Sequence, residues 1–212
     1  DSGVDEDCDE EDATALDFSE MAIYVDPVNG SDANLGIPSS PFKTLGQALS
    51  FGLVPVFVAA GEITVVGVET TESIYGGYDP TFTEVIGRTT LNTVLNVTSS
   101  TTTNTVLTRL DITGSVGFIG EASAVLHQCI VRPAEGVNPT LKTENGTPII
   151  AESIIYGPDG ETSTKDWITT VLPGVGGLKS YGNTILGGLG AKAEQSGAAG
   201  QDAATFGPYS YR

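Results

Sequence analysis

Four stretches of this chain repeat one design. They are Val106-Leu107-Thr108-Arg109-Leu110-Asp111-Ile112-Thr113-Gly114, Val125-Leu126-His127-Gln128-Cys129-Ile130-Val131, Ile149-Ile150-Ala151-Glu152-Ser153-Ile154-Ile155-Tyr156-Gly157 and, more loosely, Leu178-Lys179-Ser180-Tyr181-Gly182-Asn183-Thr184-Ile185-Leu186-Gly187. Each is two short apolar runs with a bend between them. Their first residues are separated by 125−106 = 19, 149−125 = 24 and 178−149 = 29 positions. Short strands repeating at about 20–30 residues are the signature of a solenoid. One coil cannot bury its apolar face alone, and stacking on neighbours supplies the core. A β-sandwich is the rival reading. It would show cleaner hairpin turns and fewer lone glycines within strands.

Composition agrees with a β fold. The 212 residues suffice for one domain with a sizeable core. Only 17% are charged, against 39% hydrophobic, and the chain is rich in Gly, Thr and Val, a make-up that favours strands over helices. The net charge of −18 is uneven. Residues 1–20 hold ten Asp or Glu and no Lys or Arg, so the remainder carries 17 acids against 9 bases, or −8. That balance argues against nucleic acid, whose phosphates would be repelled. It permits cations, cationic surfaces and neutral glycans. No run approaches the roughly 18 apolar residues of a membrane span. The sequence begins Asp1-Ser2-Gly3, which reads as a processed, exported mature protein, secreted or at the cell surface. Cys8 and Cys129 allow one disulfide, two free thiols or a bridge between chains.

The first part of the chain reads as a lid. Ile23-Tyr24-Val25 is a short β run, and Asp26 to Ser40 is crowded with Asp, Asn, Gly, Pro and Ser, the residues of a structured turn. Phe42 to Phe51 puts Leu45, Ala48 and Leu49 on one helical face, with Thr44 as N-cap. A short helix here covers the open end of a coil of strands, which would otherwise pair with another chain. The pattern Tyr24-Val25-Asp26-Pro27-Val28-Asn29-Gly30-Ser31-Asp32, then Gly36, then Pro41-Phe42-Lys43-Thr44-Leu45 and Ala48-Leu49 resembles the N-terminal cap of right-handed parallel β-helix proteins of the pectate-lyase-like superfamily. Ile74-Tyr75-Gly76-Gly77-Tyr78-Asp79-Pro80 with Phe82 resembles an early coil of bacterial β-helix lipoproteins. The resemblance implies a fold and leaves function open, because that superfamily includes lyases, hydrolases, adhesins and structural proteins.

Residues 1–20 form an acidic arm that cannot bury a core. Asp5, Asp7, Asp9 and Asp12 crowd around Cys8, and oxygen-rich clusters of this kind suit calcium. The other reading is a solvated acidic linker. Gly3-Val4-Asp5-Glu6-Asp7-Cys8-Asp9 resembles a metal-binding motif of bacterial surface proteins, with Glu6 and Glu10 replacing its Asn and last Gly. With the cap, it resembles the MopE-like surface copper proteins. That group binds copper through two histidines and an oxidised tryptophan, whereas this chain has only His127 and Trp167. His127 is therefore a weak copper candidate, with Cys129 two residues on and facing the same side of a strand, and with Met21 as a further soft ligand. Asp26, Asn29 and Asp32, spaced by three, are a second calcium candidate or simply Asx-turn residues. The tail, residues 191–212, is Gly/Ala-rich and carries Phe206, Tyr209 and Tyr211, which suit docking.

Enzymatic chemistry finds little support in the residues. A polysaccharide lyase needs clustered bases, and the nine here are scattered, with Arg109 beside Asp111 and Arg132 near His127 as the suggestive positions. A glycosidase needs two carboxylates across a cleft. The sequence supplies acids but does not pair them. The reading is therefore an all-β, right-handed parallel β-helix at residues 21–190, with one capping helix between the acidic arm and the tail. It is a non-enzymatic exported surface protein with a structural or ligand-binding role, calcium being its expected ion ahead of copper. Its partners are other copies of itself or cell-surface components, and a self-assembling filament subunit is the alternative.

Overall fold

The computed structural model describes residues 21–52, 54–98, 105–120, 124–134, 141–143, 148–156, 171–172, 179–181 and 184–186. They form a parallel β-solenoid of about four turns with one short helix. The first sheet stacks β1 (Ile23–Val25), β2 (Val56–Ala59), β5 (Ile74–Tyr78), β7 (Thr105–Thr108), β9 (Ala124–His127), β12 (Ile149–Ala151) and β15 (Lys179–Tyr181), every pair parallel. The second sheet is built around two ten-residue strands, β6 (Thr89–Thr98) and β8 (Leu110–Ile119), paired along their whole length. Their first halves align with β3 (Glu62–Thr64), β10 (Ile130–Arg132), β13 (Ile154–Tyr156) and β16 (Thr184–Leu186). Their second halves align with β4 (Val68–Thr70), β11 (Leu141–Thr143) and β14 (Val171–Leu172).

Apolar alternation lines three internal columns. Val56, Ile74, Leu107, Leu126 and Ile150 stack in the first sheet. Ile63, Leu91, Ile112, Val131 and Ile155 stack in the second. Val68, Leu95, Val116 and Leu141 stack beside them. All are buried, and together they make one core. Burying each such side chain contributes about 1.5–3 kcal/mol before the cost of ordering the chain. At the junction of the two halves of β8, Gly114 has φ +153°, and a Cβ there would meet the Thr93 carbonyl oxygen at 1.9 Å. No other residue fits that approach, so the ten-residue strands depend on this glycine.

The repeated blocks coincide with this register. Val106, Val125 and Ile149 are direct partners on successive rungs, and the fourth rung aligns with Lys179, one residue after the sequence-based start at Leu178. The bend within each of the first three blocks is a single left-handed residue: Arg109 (φ 54°), Gln128 (φ 51°) and Glu152 (φ 49°). Thr90-Leu91 and Val94–Val97 lie in one continuous strand, β6.

The lid forms as expected. Helix α1 (Leu45–Leu49) is capped by Thr44, whose side chain accepts from the Gln47 N–H at 3.2 Å. Leu45, Ala48 and Phe42 join the core. A second, external core lies on the outer face of the first sheet. Tyr24, Phe57 and Tyr75 are lateral partners, and their rings stack, with centroids 5.6 and 4.9 Å apart. Phe82 and Tyr78 close on them edge-to-face. Phe82 is brought there by a short excursion, residues 79–86, between β5 and β6. It is tied by the Asp79 carboxylate, which accepts from the Thr83 and Glu84 N–H groups (2.8 and 3.0 Å) and from the Thr81 hydroxyl. Those hydrogen bonds, the Thr81 hydroxyl first, hold the Asp79 carboxyl at about 2. Among the described residues no helix is long and apolar enough to cross a membrane. The acidic arm, Trp167 and the tail lie outside the described residues.

Candidate functional site

Chemistry-bearing side chains gather along the corner where the first sheet turns into the second. The corner follows from the blocks: one left-handed residue, Arg109, Gln128 or Glu152, follows each of β7, β9 and β12, so its side chain leaves the solenoid at the same place on these three rungs. The column runs Arg88, Arg109, Gln128, Glu152. The outward face beside it runs Tyr75, Thr108, His127, Ala151. Hydrogen bonds tie these rungs together. Arg88 Nε donates to the Gln128 carbonyl at 3.1 Å, and Gln128 Nε2 donates to Glu152 Oε2 at 3.1 Å. His127 bridges two rungs, with Nδ1 3.4 Å from Thr108 Oγ1 and Nε2 3.5 Å from Glu152 Oε2.

The His127 side chain is only 13% exposed. Burial pushes its pKa down, Glu152 pulls it up, and Arg109 pushes it down again; burial prevails and the shift is downward. Glu152 is held low by the Gln128 hydrogen bond first and by His127 second. On the adjacent outer face of the second sheet, Arg132 pairs with Asp111 at 2.6 Å, and its guanidinium lies 5.2 Å from the centre of the Tyr156 ring. Further forward, Asn92 Nδ2 donates to Glu62 Oε1 at 2.6 Å.

Thr108, His127 and Glu152 have the composition of a nucleophile, base and acid. Their separations exceed the 2.6–3.2 Å or so of a working relay, and Thr108 is only 4% exposed. The trio is better described as a clamp between rungs.

The sequence candidates separate. His127 and Cys129 do not share a face: the left-handed Gln128 between them turns the chain, so His127 points out and Cys129 points into the core. A common face would need a continuous strand. Cys129 is a free thiol that donates to the Leu107 and His127 carbonyls, and burial pushes its pKa up to about 12. Arg132 engages Asp111 in place of His127, and Met21 stands exposed at the front of the chain, by β1. Asp26 and Asn29 do come together, but in a turn: Asp26 accepts from the Val28 and Asn29 N–H groups and from Asn29 Nδ2, at 2.8–2.9 Å. Asp32 faces elsewhere, accepting from the Lys43 and Thr44 N–H groups and the Thr44 hydroxyl ahead of α1. Among the described residues no three His, Cys, Asp or Glu side chains form a metal-holding group. Asp5, Asp7, Asp9, Asp12 and Cys8 lie outside the described residues.

Arg88 and Gln128 are the corner residues that the sequence reading passed over. A signal for Gln128 was present. The fourth position of the first three blocks is polar, Arg109, Gln128 and Glu152, where an apolar strand residue would otherwise stand. Against known proteins, the chain matches no family model, no curated protein and no solved structure.

Proposed function

We propose that this chain is a non-enzymatic, exported protein of the cell surface, in which the solenoid serves as a rigid structural and ligand-binding body. The observation that supports this reading best is the internal pairing of its polar groups. Asp111 with Arg132, Glu152 with His127 and Gln128, and Glu62 with Asn92 hold one another on the outer surface. A hydrolase needs two carboxylates left free to face a substrate, whereas these carboxylates are engaged by neighbouring side chains. The resemblance of the cap to pectate-lyase-like β-helix proteins, and of the acidic motif to MopE-like surface proteins, supports a place outside the cell. Calcium on the acidic arm is the ligand that its composition favours, ahead of copper, because the arm is dense in carboxylates and the chain has one imidazole.

One purified sample tests both halves of the reading. Incubated with polygalacturonate or alginate and calcium, it should give no rise in unsaturated-product absorbance. Elemental analysis should find calcium without stoichiometric copper. A calcium-dependent rise in absorbance would overturn the non-enzymatic reading. Stoichiometric copper that disappears in His127→Ala would overturn the preference for calcium.

A further inference from the structure

Three arginines lie in the described part of the chain, and all three stand at the same corner or on the face next to it. Arg132 is neutralised by Asp111. Arg88 and Arg109 have no carboxylate within ion-pair distance among the described residues. Arg88 is exposed and, among the described residues, donates through Nε to the Gln128 carbonyl. Arg109 is half-buried and stays in the left-handed conformation at φ 54°, where glycine would fit without strain. Arg88 directly precedes Thr89, Arg109 directly precedes Leu110, and Thr89 and Leu110 are partners. The backbones of the two residues therefore stand on neighbouring rungs, about 4.8 Å apart along the stack. The charge of Arg109 is also felt at His127. In a chain of net charge −18, two guanidinium groups with no carboxylate partner among the described residues, one of them at a strained backbone position, call for an anionic occupant.

We propose that Arg88 and Arg109 are a docking site for a carboxylate-rich acidic peptide, supplied by residues 1–20 of this chain. That segment carries ten acids and no base. A guanidinium presents a planar fork of N–H donors that matches a carboxylate, which a lysine ammonium does not. Alternate residues of an extended peptide lie about 7 Å apart, so two carboxylates are within reach of two long side chains on adjacent rungs. The segment comes from the same chain or from a second copy. The second case links chains end to end or side to side without burying new apolar surface.

Zero-length crosslinking of the full chain tests this. Arg88→Lys and Arg109→Lys variants place an amine at each position, and a carbodiimide joins amines to carboxylates in contact with them. Each variant's circular dichroism is compared with the parent chain to establish that the fold is kept. Peptide mapping should find positions 88 and 109 joined to carboxyls of residues 5–12, in yields well above those from Lys43 and Lys142 in the same molecules. The yield should fall as salt is raised from about 0.01 M to about 1 M, where the Debye length shrinks from about 30 Å to about 3 Å. Mixing isotopically heavy and light chains distinguishes crosslinks within a chain from those between chains, and either supports the site. Crosslinks spread evenly over all lysines would overturn the proposal. So would their absence at positions 88 and 109, including the case in which the parent chain captures polygalacturonate through Arg88 and Arg109 and not the peptide.

Discussion

The outward column of the first sheet changes character half-way along. At the front, Tyr24, Phe57 and Tyr75 stack and are covered by Phe82. Behind them, Thr108, His127 and Ala151 occupy the same positions in register, with no aromatic ring stacked over them among the described residues. The inner columns change far less, because most inward positions meet the shared core and are apolar, and inward polar residues such as Thr89 and Thr105 give their hydroxyls to backbone carbonyls. Outward positions are free of that constraint, so what stands on them depends on what covers them. The front is a two-core structure held by aromatic area. The corner behind it is held by hydrogen bonds and left-handed backbone, and carries exposed charge.

The largest way to break this contrast is Phe57→Ala. The ring is 1% exposed and touches Tyr24, Tyr75 and Tyr78. Its removal should cost about 3–5 kcal/mol, as for other buried phenylalanines. Urea denaturation measures it, and a loss below about 1 kcal/mol would mean that the external core collapses onto the gap. The corner should respond in the opposite sense. Arg109→Gly relieves a left-handed non-glycine residue, worth about 1–2 kcal/mol, against an entropy cost of about 0.5–1 kcal/mol. A small rise in the denaturation midpoint is expected, and when Arg109→Gly is combined with Arg88→Lys the yield of acidic-peptide crosslinks at position 88 should fall. A clear drop would show that the side chain supports the fold itself.

The smallest effect is that of pH. His127 has its pKa lowered in the folded chain, by burial first. The folded state therefore resists the proton more than the unfolded chain does. Stability should be fullest above the ordinary histidine value of about 6.5 and decline as pH falls below it, levelling off once the folded imidazole is protonated. Comparing denaturation midpoints at pH 7.5 and 5.5, as round working values on either side of about 6.5, should show a decline that His127→Gln removes. An unchanged slope in the variant would assign the decline to other groups.

Much of the fold was legible because the inward columns obey one rule. Val106, Val125 and Ile149 could be aligned by eye since each begins a run that must face the same core. The cap was legible for a similar reason: Thr44, Leu45 and Ala48 satisfy local capping and burial rules that need no distant partner. What could not be read depends on distant registration. Phe82 meets Tyr24 only after the excursion folds back over the sheet, and their pairing across 58 residues (82 − 24) leaves no local trace. The Arg132–Asp111 pair depends on β10 lying beside β8 in one particular register. His127 and Cys129 were placed on one face because a strand alternates with a period of two, and a single left-handed residue breaks that period.

Cys129 gives the corner a timekeeper. Burial pushes the Cys129 pKa up to about 12, so in the folded chain it stands as the neutral thiol, and only the thiolate attacks alkylating reagents. Packed in the core behind Gln128, it meets a reagent when β9 and β10 part from their neighbours and water enters. The rate of its alkylation therefore counts how often those rungs breathe, a local motion that global unfolding does not report.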